Sequence, residues 1–229
     1  MLNLTVLGSS SKGNCYIITA GAEKLVIECG IKYAPIMTAL DFRAENVKGV
    51  LISHEHKDHS ASAAKLAAKG FNLYASAGTF EALGLTGHRA HRIASEQQFT
   101  VGGFTILPFA AEHDAKEPLG FIIYHALIGK LLFATDTYYI SYKFSGLNYI
   151  MVECNFSREI VQNNHLDKVV ENRLYKSHFS LENVKKFLAA NDLSKCECIY
   201  LIHLSDGNSD AKLFKSEVEK LAGIPVEIC

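Results

Sequence analysis

The chain has 229 residues, of which 48% are hydrophobic, enough to form a large core without disulfides or a structural metal. Its formal net charge at pH 7 is -1, so no overall field draws it to nucleic acid or to an anionic membrane. No run of about 18 apolar residues is present, which excludes a helical membrane span within this sequence.

The first part of the chain alternates apolar strands with short helices and with turns rich in glycine, serine and asparagine. The predicted strands are, in chain order, Leu4–Leu7, Cys15–Thr19, Lys24–Glu28, Val47–Ile52 and Phe71–Tyr74. The predicted helices are Tyr33–Leu40, Ser60–Lys69 with Ser60 as its N-cap, and Thr79–Leu85.

The second part repeats this order of strands followed by helices. Its predicted strands are Gln97–Thr100, Phe104–Ala110, Leu119–His125, Lys130–Ala134, Tyr149–Val152 and Cys198–Leu204. Its predicted helices are Arg158–Tyr175 in two pieces, Leu181–Ala190 and Asp210–Ala222. The pattern predicts an α/β fold, an αββα four-layer sandwich of two mixed sheets flanked by helices. We expect a single domain over residues 1–229, and the six scattered cysteines favour reduced thiols in a cytoplasmic protein.

Residues 54–59 read His-Glu-His-Lys-Asp-His and directly follow a buried apolar strand. Alternate side chains of an extended segment point the same way, so His54 and His56 are expected to face one cation. The tighter turn behind them presents Asp58 and His59 to a second cation. Imidazole and carboxylate without thiolate suit zinc, manganese or iron. A solvated polar turn explains one histidine, but not three histidines and an aspartate in six positions.

Three further candidate ligands lie at the ends of apolar strands. His113 follows Phe104–Ala110, Asp136 follows Lys130–Ala134, and His203 closes the last predicted strand. Each is weak evidence by itself, because polar residues are common at strand ends. Their recurrence beside the His-Glu-His-Lys-Asp-His segment predicts that they join one metal site.

Together these residues resemble the metallo-β-lactamase superfamily of binuclear hydrolases, over nearly the whole chain. The resemblance implies two divalent metal ions, zinc first and manganese or iron as alternatives. It implies that one ion is held by His54, His56 and His113, the other by Asp58, His59 and His203, with Asp136 bridging both. It also implies a metal-bridging hydroxide as the nucleophile, which Asp58 helps to orient.

Four short segments resemble the small YycJ/WalJ-type members, which are described as DNA exonucleases. They are residues 8–16 (Gly-Ser-Ser-Ser-Lys-Gly-Asn-Cys-Tyr), 153–155, 177–180 and 203–205. The last two segments also resemble the tRNA 3′-processing endonucleases, whose earlier histidine protonates the leaving oxygen, so His178 is the predicted general acid. The structural alternative is that His178 caps the helix that follows it. Two residues depart from the pattern, since Glu28 replaces the usual Asp and Ser177 replaces a Gly.

The substrate predicted from this resemblance is a nucleic acid or nucleotide phosphodiester, cleaved by a DNA exonuclease-like enzyme. Lys57, Asn155 and Arg173 are the predicted substrate-binding residues, and the Arg173 fork matches phosphate oxygens. The balanced net charge argues against a protein that tracks a long backbone.

Other activities stay open on the sequence alone. One is a small-molecule phosphodiesterase that acts on a cyclic nucleotide. Another is a glyoxalase-II-like thioesterase, which has no obvious use for a general acid at His178. A non-catalytic binding protein on the same scaffold is the alternative from a different class. The oligomeric state is left open as well.

Overall fold

The structure is a computed structural model and describes residues 2–229. Its strands form two mixed sheets flanked by helices, which confirms the predicted fold class. The first sheet contains β1 (Asn3–Ser10), β2 (Gly13–Ala20), β3 (Glu23–Ile27), β4 (Val47–Leu51), β5 (Leu73–Ala75) and β6 (Ala90–Arg92). The second contains β7 (Phe99–Val101), β8 (Phe104–Ala110), β9 (Leu119–His125), β10 (Gly129–Ala134), β11 (Tyr149–Glu153), β12 (Cys198–Ile202) and β13 (Val226–Ile228).

The helices are short and alternate with the strands. They are α1 (Tyr33–Ala39), α2 (Lys57–Ser60), α3 (Ala63–Ala68), α4 (Ala77–Leu83), α5 (Arg158–Asn163), α6 (Lys168–Ser177), α7 (Leu181–Ala189) and α8 (Ala211–Ala222). Among the described residues, no helix combines the length and the apolar composition that a membrane span requires.

The chain divides into two compact units. The first unit runs to Ala110 and also includes Ala115–Ile128, and the second comprises Ala111–Asp114 together with Gly129–Cys229.

In the first unit, parallel strand ends position the His-Glu-His-Lys-Asp-His segment. Strands β1 to β3 pair antiparallel, whereas β3 to β6 pair in parallel, each with the next. Parallel strands are buried on both faces and end along the same edge of a sheet. Here β3 ends just before Glu28, and β4 ends three residues before His54. The core beneath this edge contains the fully buried side chains of Val26, Val50 and Ile52.

In the second unit, the same arrangement occurs with strands β10 to β13, which pair in parallel in that order. Asp136 lies two residues beyond β10, Glu153 is the last residue of β11, and His203 directly follows β12. The parallel register therefore delivers three polar side chains to one edge. A hydrophobic run from each strand, such as the fully buried Leu131–Phe133, holds them in place.

The structure differs from the sequence prediction in several elements. Strands β6 and β13, which have three residues each and lie at the edges of their sheets, were not predicted. The predicted helix Ser60–Lys69 is divided into α2 and α3. The prediction that Ser60 is an N-cap is wrong: its hydroxyl donates hydrogen bonds to the carbonyl oxygens of Glu55 (2.8 Å) and His56 (3.0 Å). Ser60 therefore braces the histidine-rich turn rather than starting a helix.

Gly30 packs tightly against the backbone of the histidine-rich turn. A Cβ at Gly30 would overlap the carbonyl oxygen of Asp58 and would lie 2.6 Å from the amide nitrogen of His59. Backbone atoms cannot move aside as a side chain can. We expect Gly30→Ala to lower the free energy of unfolding in urea by about 2 kcal/mol, within the range for overpacked sites. Gly207→Ala is the matched control, since a Cβ there meets no atom within 4 Å. Equal stability of the two variants would contradict this assignment.

Candidate metal centre

The first unit packs three imidazole rings against one another. The ring centroid of His54 lies 4.6 Å from that of His56 and 4.3 Å from that of His59. His54 and His59 are buried, with 1% and 0% of their surface exposed. An imidazole ring offers a nitrogen lone pair to a divalent ion, and three such rings lie close together here.

A buried carboxylate and a hydroxyl orient these rings. The Ser53 hydroxyl lies 2.9 Å from Nδ1 of His54, and the Ser53 amide donates a hydrogen bond to Oε1 of Glu28 (3.1 Å). The other carboxylate oxygen of Glu28, Oε2, lies 3.6 Å from Nδ1 of His59. Burial raises the pKa of Glu28, although His59 and Ser53 lower it in part. Glu28 thus lies behind the candidate ligand His59, in the position that carboxylates often have around metal-binding histidines.

Asn14 connects the opening segment of the chain to the same turn. Its side-chain amide donates hydrogen bonds to the carbonyl oxygens of Ser10 (3.1 Å) and Asp58 (3.2 Å) and lies 3.2 Å from Nε2 of His59. Asn14 is fully buried. It was not predicted as a site residue, although its place in the Gly-Ser-Ser-Ser-Lys-Gly-Asn-Cys-Tyr segment was a signal.

Asp58 extends from this turn toward solvent. Its Oδ2 lies 3.3 Å from Nε2 of His59, and a quarter of its side chain (25%) is exposed. Asp58 and Lys57 line a cleft of about 660 Å³ in the same unit, together with Lys12 and Lys32. The predicted substrate-binding residue Lys57 therefore lies beside two further lysines in an open cleft.

The second unit brings four side chains together, three from the ends of its strands and one, His178, from the end of α6. Asp136, Glu153, His178 and His203 each offer a ligand atom, and these atoms all lie within 4.8 Å of one another. Nδ1 of His203 lies 3.0 Å from Oδ1 of Asp136 and 2.9 Å from Oε1 of Glu153. Nδ1 of His178 lies 2.7 Å from the same Glu153 oxygen.

His113 provides the test of whether a cation fits here. Its Nδ1 donates a hydrogen bond to the carbonyl oxygen of Ser177 (2.8 Å), so the neutral ring carries its lone pair on Nε2. That Nε2 lies 3.4 Å from Oδ1 of Asp114 and 3.6 Å from Oδ2 of Asp136. Burial lowers the pKa of His113, and Asp136 offsets this only in part. A lone pair that faces carboxylate oxygens suits a metal ion between them, so the donor set fits a divalent cation.

Asp136 and His203 adopt backbone conformations that residues other than glycine rarely adopt. Their φ angles are 40° and 54°, in the left-handed region. Such conformations cost about 1–3 kcal/mol each and persist where the surrounding contacts hold them. Both residues turn sharply out of a parallel strand, and that turn directs their side chains toward Glu153.

Both carboxylate oxygens of Glu153 form hydrogen bonds within this cluster. Its Oε2 accepts hydrogen bonds from the backbone amides of Thr137 (3.2 Å) and Phe179 (3.0 Å), and its Oε1 contacts His178 and His203. Burial acts to raise the pKa of Glu153, but His178 and the hydrogen bonds from His178 and His203 outweigh it, so the pKa is lowered. The sequence prediction missed this role, although Glu153 ends a strand as the other candidates do.

The chain matches a known protein family and a known fold. The sequence model of the "Beta-lactamase superfamily domain" family matches residues 25–203, more than three quarters of the chain. The chain belongs to the metallo-β-lactamase superfamily. It is thus a metal-dependent hydrolase, as its sequence predicted. The metallo-β-lactamase fold protein YhfI from Bacillus subtilis superposes with a TM-score of 0.74 at 18% identity, covering 99% of this chain and 95% of that chain.

Two curated relatives identify the branch of the superfamily that the chain resembles. Exodeoxyribonuclease YycJ of Bacillus anthracis is 28% identical over 238 residues, which cover 96% of this chain and 89% of that protein. Exodeoxyribonuclease WalJ of Streptococcus pneumoniae is 26% identical over 226 residues, which cover 91% and 84%. The predicted resemblance to the YycJ/WalJ type is confirmed.

In this superfamily member, the predicted general acid His178 is held by Glu153, and most of its side chain (all but 22%) is covered. Burial lowers the pKa of His178, but the Glu153 charge and hydrogen bond outweigh it, so the pKa is raised. The alternative that His178 caps α7 is wrong. The N-cap of α7 is Ser180, whose hydroxyl accepts a hydrogen bond from the amide of Asn183 (3.2 Å).

The other two predicted substrate-binding residues have protein partners in the second unit. Arg173 is largely exposed, and its Nη2 lies 3.2 Å from Oδ2 of Asp114. Asn155 is buried and donates a hydrogen bond from its side-chain amide to the carbonyl oxygen of His203 (2.9 Å). Asn155 thereby supports the left-handed turn at His203. Roles of Asn155 and Arg173 in substrate binding stay predictions.

The Glu153 contacts predict a measurable change at His178. Glu153→Gln keeps the size of the side chain but removes the charge that raises the His178 pKa, so that pKa should fall. The measurement is the pH titration of the His178 ring by NMR in metal-free protein. Glu159→Gln, an exposed carboxylate of α5, is the control and should leave the titration unchanged. An unaltered His178 pKa in Glu153→Gln would show that another group raises it.

Proposed function

We propose that the protein is a binuclear phosphodiesterase that cleaves nucleic acid, with DNA exonuclease-like activity. The observation that carries this proposal is the His178–Glu153 pair beside Asp136 and His203. Hydrolysis of a phosphodiester expels an alkoxide, which needs a proton donor. Hydrolysis of a thioester expels a thiolate, which is far less basic. The exodeoxyribonuclease names of the curated relatives support the same substrate class.

A single domain over residues 1–229 that holds two metal ions is proposed. Support for one domain comes from the family match, which begins in the first unit and ends in the second. The proposed ligands are His54, His56 and His113 for one ion, Asp58, His59 and His203 for the other, and Asp136 for both. Histidine and carboxylate donors favour zinc first, with manganese or iron as alternatives.

Bound divalent ions would supply a nucleophilic water at neutral pH and would hold the reacting phosphoryl oxygens. The protein side chains do the remaining work. Asp58, partly exposed, is proposed to orient the attacking water and to accept its proton. His178 is proposed to donate a proton to the leaving oxygen. Because Nδ1 of His178 is bound to Glu153, the proton that it can donate is on Nε2.

Substrate binding is proposed to use the lysine-lined cleft. Lys57, with Lys12 and Lys32 beside it, would contact phosphate oxygens close to Asp58. Arg173 and Asn155 remain proposed contributors, Arg173 through its exposed guanidinium. The net charge of -1 favours a short or single-stranded substrate over a long duplex. It also favours the second candidate, a phosphodiesterase for a small molecule such as a cyclic nucleotide. The proposed location is the cytoplasm, where six free thiols stay reduced.

The first test is hydrolysis by protein loaded with zinc, manganese or iron. We expect turnover of bis-p-nitrophenyl phosphate and release of mononucleotides from end-labelled DNA, with cyclic nucleotides and a thioester assayed in parallel. Asp58→Asn should lower phosphodiester turnover by about 100-fold or more. Asp41→Asn is the control, because Asp41 is exposed and asparagine tolerates its left-handed φ of 53°. Turnover of the thioester alone, in protein that holds metal, would reject the proposal.

A second test separates the general acid from the metal ligands. His178→Ala should lower DNA hydrolysis by about 10²–10⁴-fold without lowering the metal content. The loss should be smaller with bis-p-nitrophenyl phosphate, because p-nitrophenolate leaves without protonation. His88→Ala, which removes an exposed histidine, is the control. Full DNA hydrolysis by His178→Ala, or loss of metal from it, would refute the general-acid role.

A further inference from the structure

A pocket in the second unit adjoins two of the proposed catalytic segments along the chain. Its volume is about 230 Å³. One wall is residues 139–143, which begin three residues after Asp136. Residues of α7 also line the pocket, as does Phe179, the neighbour of His178. We call this space the aromatic pocket.

The lining of the aromatic pocket combines buried aromatic rings with exposed lysines. Phe179 and Phe187 are buried, and their ring centroids lie 6.3 Å apart at an interplanar angle of 65°. Tyr139 borders the pocket with 57% of its surface exposed. Lys143 and Lys186 are exposed, and no acidic side chain is present among the described lining residues. Aromatic rings beside unneutralised lysines are the chemistry that binds single-stranded nucleic acid.

Hydrogen bonds hold the Tyr139 wall in place. The Asn183 side-chain amide donates to the carbonyl oxygen of Tyr138 (3.1 Å), and the Thr137 hydroxyl donates to the carbonyl oxygen of Tyr139 (2.8 Å). The wall is therefore fixed to α7 on one side and to the segment after Asp136 on the other. A preformed wall lowers the entropic cost of ordering a ligand.

The size and position of the aromatic pocket limit its occupant. Pockets for drug-sized ligands start at about 300 Å³, so this one suits a single ring system. Three residues of extended chain span at most roughly 11 Å, so Tyr139 lies within that distance of Asp136. That distance corresponds to about three stacked nucleotides, at about 3.4 Å per nucleotide.

We propose that the aromatic pocket binds one base of a single-stranded nucleic acid end. The base stacks on the exposed ring of Tyr139, beside Phe179 and Phe187, and Lys143 and Lys186 contact the adjacent phosphates. This inference rests on the proposed function, because it assigns the pocket as the part of the enzyme that binds the substrate next to the cleavage site. It makes sequence-tolerant stacking, rather than an overall basic surface, the source of affinity.

The test is the affinity of chelator-treated protein for a short fluorescein-labelled oligothymidylate, measured by fluorescence anisotropy. Tyr139→Ala should raise Kd by about 5- to 150-fold, the range for loss of one stacked base, whereas Tyr139→Phe should restore wild-type binding. Lys186→Ala should raise Kd and reduce the slope of log Kd against log salt by about 0.7. Tyr124→Ala and Lys212→Ala, which remove exposed side chains elsewhere, should bind as the wild type does.

The outcomes separate this inference from the proposed function. If Tyr139→Ala and Lys186→Ala bind the oligothymidylate with the same Kd as the wild type, the inference about the pocket is wrong and the proposed function is unaffected. Weaker binding by both variants, in a protein without phosphodiesterase activity, would uphold the pocket and reject the catalytic proposal. No binding by the wild type would overturn the pocket, even if bis-p-nitrophenyl phosphate is hydrolysed. Tyr139 and Lys186 are exposed, so unaltered thermal midpoints are expected and would exclude unfolding as the cause.

Discussion

The buried carboxylate of Glu153 organises the second unit. A charged group without solvent is costly unless every oxygen is hydrogen-bonded, and Glu153 meets that requirement with two backbone amides and two imidazoles. The amides belong to Thr137 and Phe179, the residues after Asp136 and His178. Satisfying one carboxylate therefore fixes the segments that carry the proposed metal ligand and the proposed general acid.

The first unit also contains a buried glutamate, Glu28, but only its Oε1 accepts a hydrogen bond, from the Ser53 amide, whereas its Oε2 lies 3.6 Å from Nδ1 of His59. Glu28 is fully buried and adopts a φ of 62°, so it turns away at the end of β3 and contacts Ser53 and His59. In both units a glutamate at the end of a buried parallel strand supports histidines on the neighbouring segments. The repetition follows from the fold, since parallel strands deliver their carboxyl ends to one edge and leave unpaired backbone there.

Much of this could be predicted from local pattern. The apolar runs predicted most strands, and the fold class is confirmed, because buried parallel strands read as continuous hydrophobic segments. The His-Glu-His-Lys-Asp-His segment identified the superfamily, which the family match confirms. Edge strands β6 and β13 were missed, because they are strands through their pairing with β5 and β12, which a local pattern does not show. Ser60 was misread as a helix cap, because the same hydroxyl can bond either to a helix start or to the carbonyls before it.

The sequence by itself determined the donor types, their places at strand ends and the order of strands and helices, because these depend on residues that are neighbours in the chain. Only the tertiary structure decided which atoms meet. Glu153 contacts His203 across 50 positions, and Asn14 supports Asp58 across 44. The aromatic pocket likewise joins residues 139–143 to α7. Such contacts depend on how distant segments pack around a shared core, and no local spacing encodes that packing.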